Sequence, residues 1–139
     1  MSLFGPPPGE PRSKLVVRVL VAIAMTAIGI AHFTSAEGFF AILPNALPAP
    51  LLLVQVSGAC EVLGGVGLLV RPVQVAAAWG LVALYVAVFP ANVNMAVNHI
   101  HQLGGTTVPE WALWLRLPFQ GVFIGIAYWL SRSRGSARR

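Results

Sequence analysis

Four long apolar runs separated by short polar breaks set the pattern of the chain. Residues 15–33, 50–70, 74–97 and 108–131 are each long and apolar enough to cross a hydrocarbon core of about 30 Å as a helix. Pro50 suits the first turn of the second run, and Arg71 with Pro72 ends it. The link to the third run is so short that runs two and three read as a tight helical hairpin. Pro90 lies in the outer third of run three and leaves a backbone carbonyl without its helical donor. Asn92 and Asn94 follow at once, so FPANVN reads as a kinked, polar helix end. Lipid tolerates such an end only where protein or water satisfies the backbone. From Pro118 to Ser131 alone, the fourth run is too short to span. Thr107, Val108, Pro109 and Glu110 match a capping box, with Thr107 as N-cap and Glu110 at N3. A helix starting there spans, with Pro118 as an internal kink, and places Trp111 and Trp114 in an interfacial aromatic belt.

The pattern predicts an all-α fold: an integral membrane four-helix antiparallel bundle over residues 14–131. Residues 1–13, with Pro6, Pro7, Pro8 and Pro11, read as a disordered cytoplasmic tail. Residues 132–139 read as a basic cytoplasmic tail. Between runs one and two, residues 34–49 hold the loop signals Gly38, Pro44, Asn45 and Pro48, with Phe39, Phe40, Ile42 and Leu43 between them. This is a loop that dips into the interface or packs on the bundle. Residues 98–106 form a polar loop with His99 and His101.

Composition agrees with the pattern. Hydrophobic residues make up 57% and charged residues 9% of the 139, and mean hydropathy is +0.78. A soluble surface needs far more charge. The net charge of +5 gathers at Arg12, Lys14, Arg18 and Arg71 and at the end of the chain. Loops after runs one and three lack Lys and Arg before Arg116. The positive-inside rule then puts both termini in the cytoplasm and makes the chain a multi-pass protein of the cell membrane, in the bacterial cytoplasmic membrane. Basic ends flanking apolar helices point to anionic lipid as partner and not to nucleic acid. Arg18, one turn inside run one, is expected to snorkel back to the interface. The long proline-rich lead and the length of run one argue against a cleaved signal peptide. Cys60 is the single cysteine and is expected as a small buried residue at a helix contact.

Glu61 is the informative charge. It lies roughly 16 Å in from Pro50 at the helical rise, near mid-bilayer. A carboxylate there costs several kcal/mol unless paired, hydrated or protonated. Ser57, Glu61, Gly64, Gly65 and Leu68 share a face at helical spacing, so Glu61 points into the bundle where small residues admit another backbone. Gly121 and Gly125 make a similar pair on the fourth run. Arg116 lies roughly 12 Å below Thr107, with Gln120 one turn deeper on the same face. His32 and Asn92 sit at the outer ends of runs one and three. In one reading Glu61 and Arg116 form an ion pair that fixes helix packing. In the other, His32, Glu61, Asn92, Arg116 and Gln120 line an outward-opening pocket for a polar headgroup or a quinone. The spacing of His32, His99 and His101 is too weak to predict a metal site. No nucleophile elbow, phosphate loop, haem motif or dinucleotide fingerprint occurs.

An ordered set of pieces resembles the DoxX-like family of small four-helix membrane proteins. They are GIAHF from Gly29, ILPNALP from Ile42, SGACEVLGGVGLL from Ser57, FPANVNMA from Phe89 and RLPFQ from Arg116. The resemblance implies a four-helix membrane bundle and an association with thiosulfate:quinone oxidoreductase or membrane redox complexes. It implies a shared polar site at His32, Glu61, Asn92, Arg116 and Gln120, with a quinone as the cofactor expected. It also implies a membrane or extracytoplasmic redox partner protein. The paired cysteines of dithiol-dependent relatives are missing, which argues against thiol–disulfide chemistry. The expectation is a redox-associated membrane subunit that binds a quinone or small anion. Glu61 would be a proton acceptor or the Arg116 counter-ion, Arg116 would hold an anionic or carbonyl oxygen, and His32 and Asn92 would supply hydrogen bonds. A non-enzymatic assembly or scaffold subunit with a structural polar cluster is the alternative.

Overall fold

The structure is a computed structural model that describes residues 2–103 and 106–132. Helix α1 is Arg12–Thr34, a short α2 is Ala36–Phe40 and α3 is Pro50–Gly67. A single 3-10 turn, Arg71–Val73, leads into α4, Gln74–Val97, and α5 is Glu110–Ser131. Two-residue strands β1 (Gln102–Leu103) and β2 (Thr106–Thr107) pair antiparallel between α4 and α5. The expected basic tail beyond Arg132 and the loop glycines Gly104 and Gly105 lie outside the described residues.

Helices α1, α3 and α5 and the segment Arg71–Val97 are each long and apolar enough to cross a membrane. Their outward faces are apolar: Leu63 is 72% exposed and Leu20 61%. That much uncovered leucine suits a lipid surface, where hydrocarbon tails are as apolar as the side chains.

Association of helices in lipid rests on close packing rather than on a hydrophobic drive. Helix α1 packs on α3, α3 on α4, and α4 on α5. The α1–α3 seam is backbone against backbone. A Cβ at Gly29 would lie 2.6 Å from the Gly58 carbonyl oxygen, and one at Gly65 would lie 2.8 Å from the Ala22 carbonyl oxygen. The adjoining face of α3 meets α4, with Gly64 against Leu81 and Gly67 against Ala77. The small-residue stripe of α3 is therefore divided between two partners. Gly121 and Gly125 depart from expectation. Both are exposed, and a Cβ at either would meet nothing within 4 Å among the described residues. Their expected helix contact is not made.

One end of the molecule is basic. The start of α1 and the end of α5 meet there, with the Lys14 ammonium donating to the Arg132 carbonyl and lying over the Trp129 ring. Arg18 does not snorkel. It is 1% exposed, ion-paired with Glu10, and its Nη2 is 3.5 Å from the Leu130 carbonyl. A buried charge is tolerated when it is paired and hydrogen-bonded, and the leading segment brings that partner. The same segment departs from the disorder expected of residues 1–13. Phe4 bridges to Val70, Gly5 N–H donates to Leu69 O at 3.2 Å, and Arg71 N–H donates to Leu3 O at 2.9 Å. Gln74 Nε2 donates to Gly5 O at 2.8 Å. Groups left unpaired where α3 ends and α4 begins give an extended strand these partners.

Above the basic end, Ala22, Leu68, Ala78, Leu81, Ala127 and Leu130 form an apolar core shared by the four long helices. At the opposite end, Ile42 of the α2–α3 loop packs with Ala91, Met95, Ala96 and Leu113. Asn94 Nδ2 pins this cap by donating to Ile42 O at 2.8 Å. The expected capping box of α5 is not formed. Pro109 precedes the helix and no side chain caps it. Thr107 is held in β2 opposite Gln102. The Glu110 carboxylate accepts from Trp114 Nε1 at 3.0 Å and lies 2.8 Å from His99 Nδ1.

Gly58→Val is expected to cost about 1–3 kcal/mol by overpacking the α1–α3 seam. Gly121→Val should stay within about 0.5 kcal/mol of the parent. Thermal unfolding of the two variants in detergent reads both, and equal melting temperatures would contradict the seam.

Candidate functional site

Between the α1–α3 pair and the α4–α5 pair, toward the capped end, lies a cavity of about 620 Å³. Its position follows from the packing. Gly64 and Gly67 hold α3 close to α4 near the basic end. The next turns of the same faces carry Leu53, Cys60, Leu84 and Val88, which line the cavity instead of meeting. Tyr85 and Met25 also line it and link α4 to α1 through the phenol hydrogen bond to the thioether, 3.0 Å. Phe39, Ile42, Leu43 and Leu47 border it from the α2–α3 loop.

All five polar residues singled out from the sequence line this cavity: His32, Glu61, Asn92, Arg116 and Gln120. They divide into two groups. On the α4–α5 side the groups satisfy one another. Gln120 Nε2 donates to the Tyr85 carbonyl at 2.6 Å, one residue before Val86, whose carbonyl loses its helical donor to Pro90. Asn92 Nδ2 donates to Gln120 Oε1 at 3.1 Å, and Arg116 Nη2 donates to Asn92 Oδ1 at 3.3 Å. On the α1–α3 side His32 stacks on Phe39 with ring centres 3.9 Å apart. Its Nδ1 is 2.8 Å from Ile28 O and 3.1 Å from Glu61 Oε2. Two flanking oxygens make Nδ1 the protonated ring nitrogen. One N–H cannot point at both, and its hydrogen bond goes to the carbonyl. Glu61 Oε2 is thus close to His32 but has no aligned donor.

Arg116 is therefore not the ion-pair partner expected for Glu61. Its guanidinium turns to Asn92, and the group nearest the carboxylate is His32. Three buried polar atoms of cavity-lining residues have no hydrogen-bond partner among the described residues: Ser57 Oγ and Glu61 Oε2 on the α1–α3 side and Arg116 Nε on the α4–α5 side. Buried polar groups are nearly always satisfied, so each such atom needs an explanation. Their residues line an otherwise apolar space, and a few polar side chains in an apolar lining are the usual make-up of a small-molecule site.

The model of a family described as Domain of unknown function (DUF8561) matches residues 21–131. The chain belongs to that family. No curated protein and no solved structure matches it. The DUF8561 segment contains every polar residue of the cavity, whereas Glu10 and Arg18 at the basic end precede it.

Two readings from the sequence change. Cys60 is exposed and borders the cavity rather than being buried at a helix contact. Its place between Ser57 and Glu61 on α3 was the available signal. Tyr85 and Phe39 were missed, because an aromatic in an apolar run carries no polar mark. His99 and His101, for which no metal site was expected, turn to Glu110, at 2.8 and 3.4 Å. The described residues contain no group of three or more acidic, His or Cys side chains arranged to hold a metal.

A double-mutant cycle separates the two polar groups. Asn92→Leu with Gln120→Leu should show coupling of about 0.5–3 kcal/mol in thermal stability. Glu61→Gln with Arg116→Gln should be additive within about 0.5 kcal/mol. Strong coupling in the second pair would restore the ion pair.

Proposed function

We propose that this chain is a redox-associated membrane subunit, and that the polar wall of its cavity binds the headgroup of a quinone. Ser57, Glu61 and Arg116, which line a cavity of about 620 Å³ and each hold a buried polar atom without a hydrogen-bond partner among the described residues, carry the reading. A ring bearing carbonyl oxygens complements two donors and an acceptor. A small anion matches Arg116 but leaves the apolar volume unused. The DoxX-like pieces named above support the same class, since they hold His32, Glu61, Asn92, Arg116 and Gln120.

When bound, a quinone supplies two-electron interconversion of carbonyl and hydroxyl groups. The side chains supply position and hydrogen bonds. Arg116 and the Ser57 hydroxyl would hold a carbonyl oxygen, and Glu61 would accept from a hydroxyl. Stacked on Phe39, His32 holds its ring beside that carboxylate, and the Asn92–Gln120 chain fixes Arg116. A partner protein in or at the membrane exchanges the electrons.

We place the chain in a bacterial cytoplasmic membrane as an antiparallel four-helix bundle with its basic end in the cytoplasm. Lys14, Arg71 and Arg132 gather at that end, and positive residues favour the cytoplasmic side. The scaffold alternative draws on a separate observation, the side-chain chain from Arg116 through Asn92 and Gln120 to the Tyr85 carbonyl, which ties α4 to α5.

Titration of the purified protein with a benzoquinone, read by calorimetry, tests the proposal. Glu61→Gln and Arg116→Gln are each expected to weaken binding by at least about tenfold, or 1.4 kcal/mol. Absence of binding to the parent protein, or unchanged affinity in both variants, would favour the scaffold.

A further inference from the structure

The cavity has a side as well as an end. At the capped end, Phe39 lies on His32 and Ile42 is buried against α4 and α5. That cover is apolar and pinned by the Asn94 hydrogen bond to the Ile42 carbonyl. Between α3 and α4 the boundary is different. Near the basic end these helices touch through Gly64 and Leu81. Further on, Leu53, Val56 and Cys60 of α3 and Leu84, Ala87 and Val88 of α4 line the cavity on either side. Val56 is 52% exposed, and Cys60 and Ala87 are exposed too. Residues that both line a cavity and are exposed mark its mouth, and Ile28 of α1 and Phe123 of α5, 41% and 40% exposed, border it as well. Here part of that mouth lies along two helices apolar enough to span a membrane.

We propose that the slot between α3 and α4 is a lateral port, through which a single-tailed amphiphile enters from the bilayer. Its hydrogen-bonding head reaches Ser57, Glu61 and Arg116, and its tail stays between Leu53, Val56 and Cys60 on one side and Leu84, Ala87 and Val88 on the other. The port rests on the binding reading above and narrows it: the occupant is long-tailed and lipid-soluble, not a water-borne anion. Moving an apolar tail from water into an apolar slot is favourable. For a molecule already dissolved in lipid that gain is small. The slot therefore serves access, and the polar wall serves affinity.

Cys60 is a native reporter at the mouth. In vesicles holding the full chain, an uncharged membrane-dissolved maleimide is expected to label Cys60 at least about tenfold faster than a charged water-soluble one. A fully substituted benzoquinone with a ten-carbon tail, which cannot add the thiol, should protect Cys60. The same ring without the tail should not. Ala87→Trp, which narrows the slot outside the polar wall, should slow both the lipid-borne labelling and binding of the tailed quinone. Equal labelling by the charged reagent, or tailed-quinone binding that leaves Cys60 unprotected, would overturn the port. If the quinone does not bind and monodecanoylglycerol protects Cys60, the quinone reading falls and the port stands. If neither protects, the port falls.

Discussion

Two backbones can lie as close as those of α1 and α3 only where Cβ atoms are absent, and that constraint organises the molecule. Gly29, Gly58 and Gly65 supply the missing atoms. Glu61 lies between Gly58 and Gly65 on α3, so the seam that locks the helix also fixes the direction of its carboxylate. His32 follows from the same contact, because a Cβ on Gly58 would lie 2.6 Å from the His32 Cβ. A second contact, Gly64 on Leu81, sets α4 against α3 near the basic end and leaves the two helices apart beyond it. The cavity results from close packing at one level and its lack at the next.

The polar residues inside then serve different ends. Asn92 and Gln120 tie α4 to α5 beside the Pro90 kink. They complete each other's hydrogen bonds and hold Arg116 in place. Ser57 Oγ, Glu61 Oε2 and Arg116 Nε have no hydrogen-bond partner among the described residues. A buried carboxylate without a full set of donors is expensive anywhere, and more so in a membrane. Such groups concentrate where a fold gives up stability for binding or chemistry.

The spans were legible because an apolar helix in lipid needs only length and hydropathy, and α4 begins at Gln74 and ends at Val97 as its pattern implied. That five scattered polar residues share one cavity was legible too, since each sits toward the same half of its span. Which of them touch was not. Spacing places Arg116 at a depth but does not fix how α5 is rotated about its axis, and that rotation gave Arg116 to Asn92 instead of Glu61. The Thr107–Glu110 motif failed for a similar reason, as the hairpin and two loop histidines competed for the same groups. Gly121 and Gly125 matched a helix-contact spacing but met no helix, because spacing carries no information about the partner. The Glu10–Arg18 pair was hidden by a proline-rich stretch whose composition suggests a loose tail.

The central claim is that Glu61 is retained for a ligand and not for the fold. The most direct test is the melting temperature of ligand-free Glu61→Leu beside the parent protein in the same detergent. Replacing an unsatisfied buried polar group by an apolar one of similar size is often neutral or stabilising. The account predicts a melting temperature at or above that of the parent. A loss of about 3 kcal/mol or more, the cost of breaking a buried pair, would contradict it.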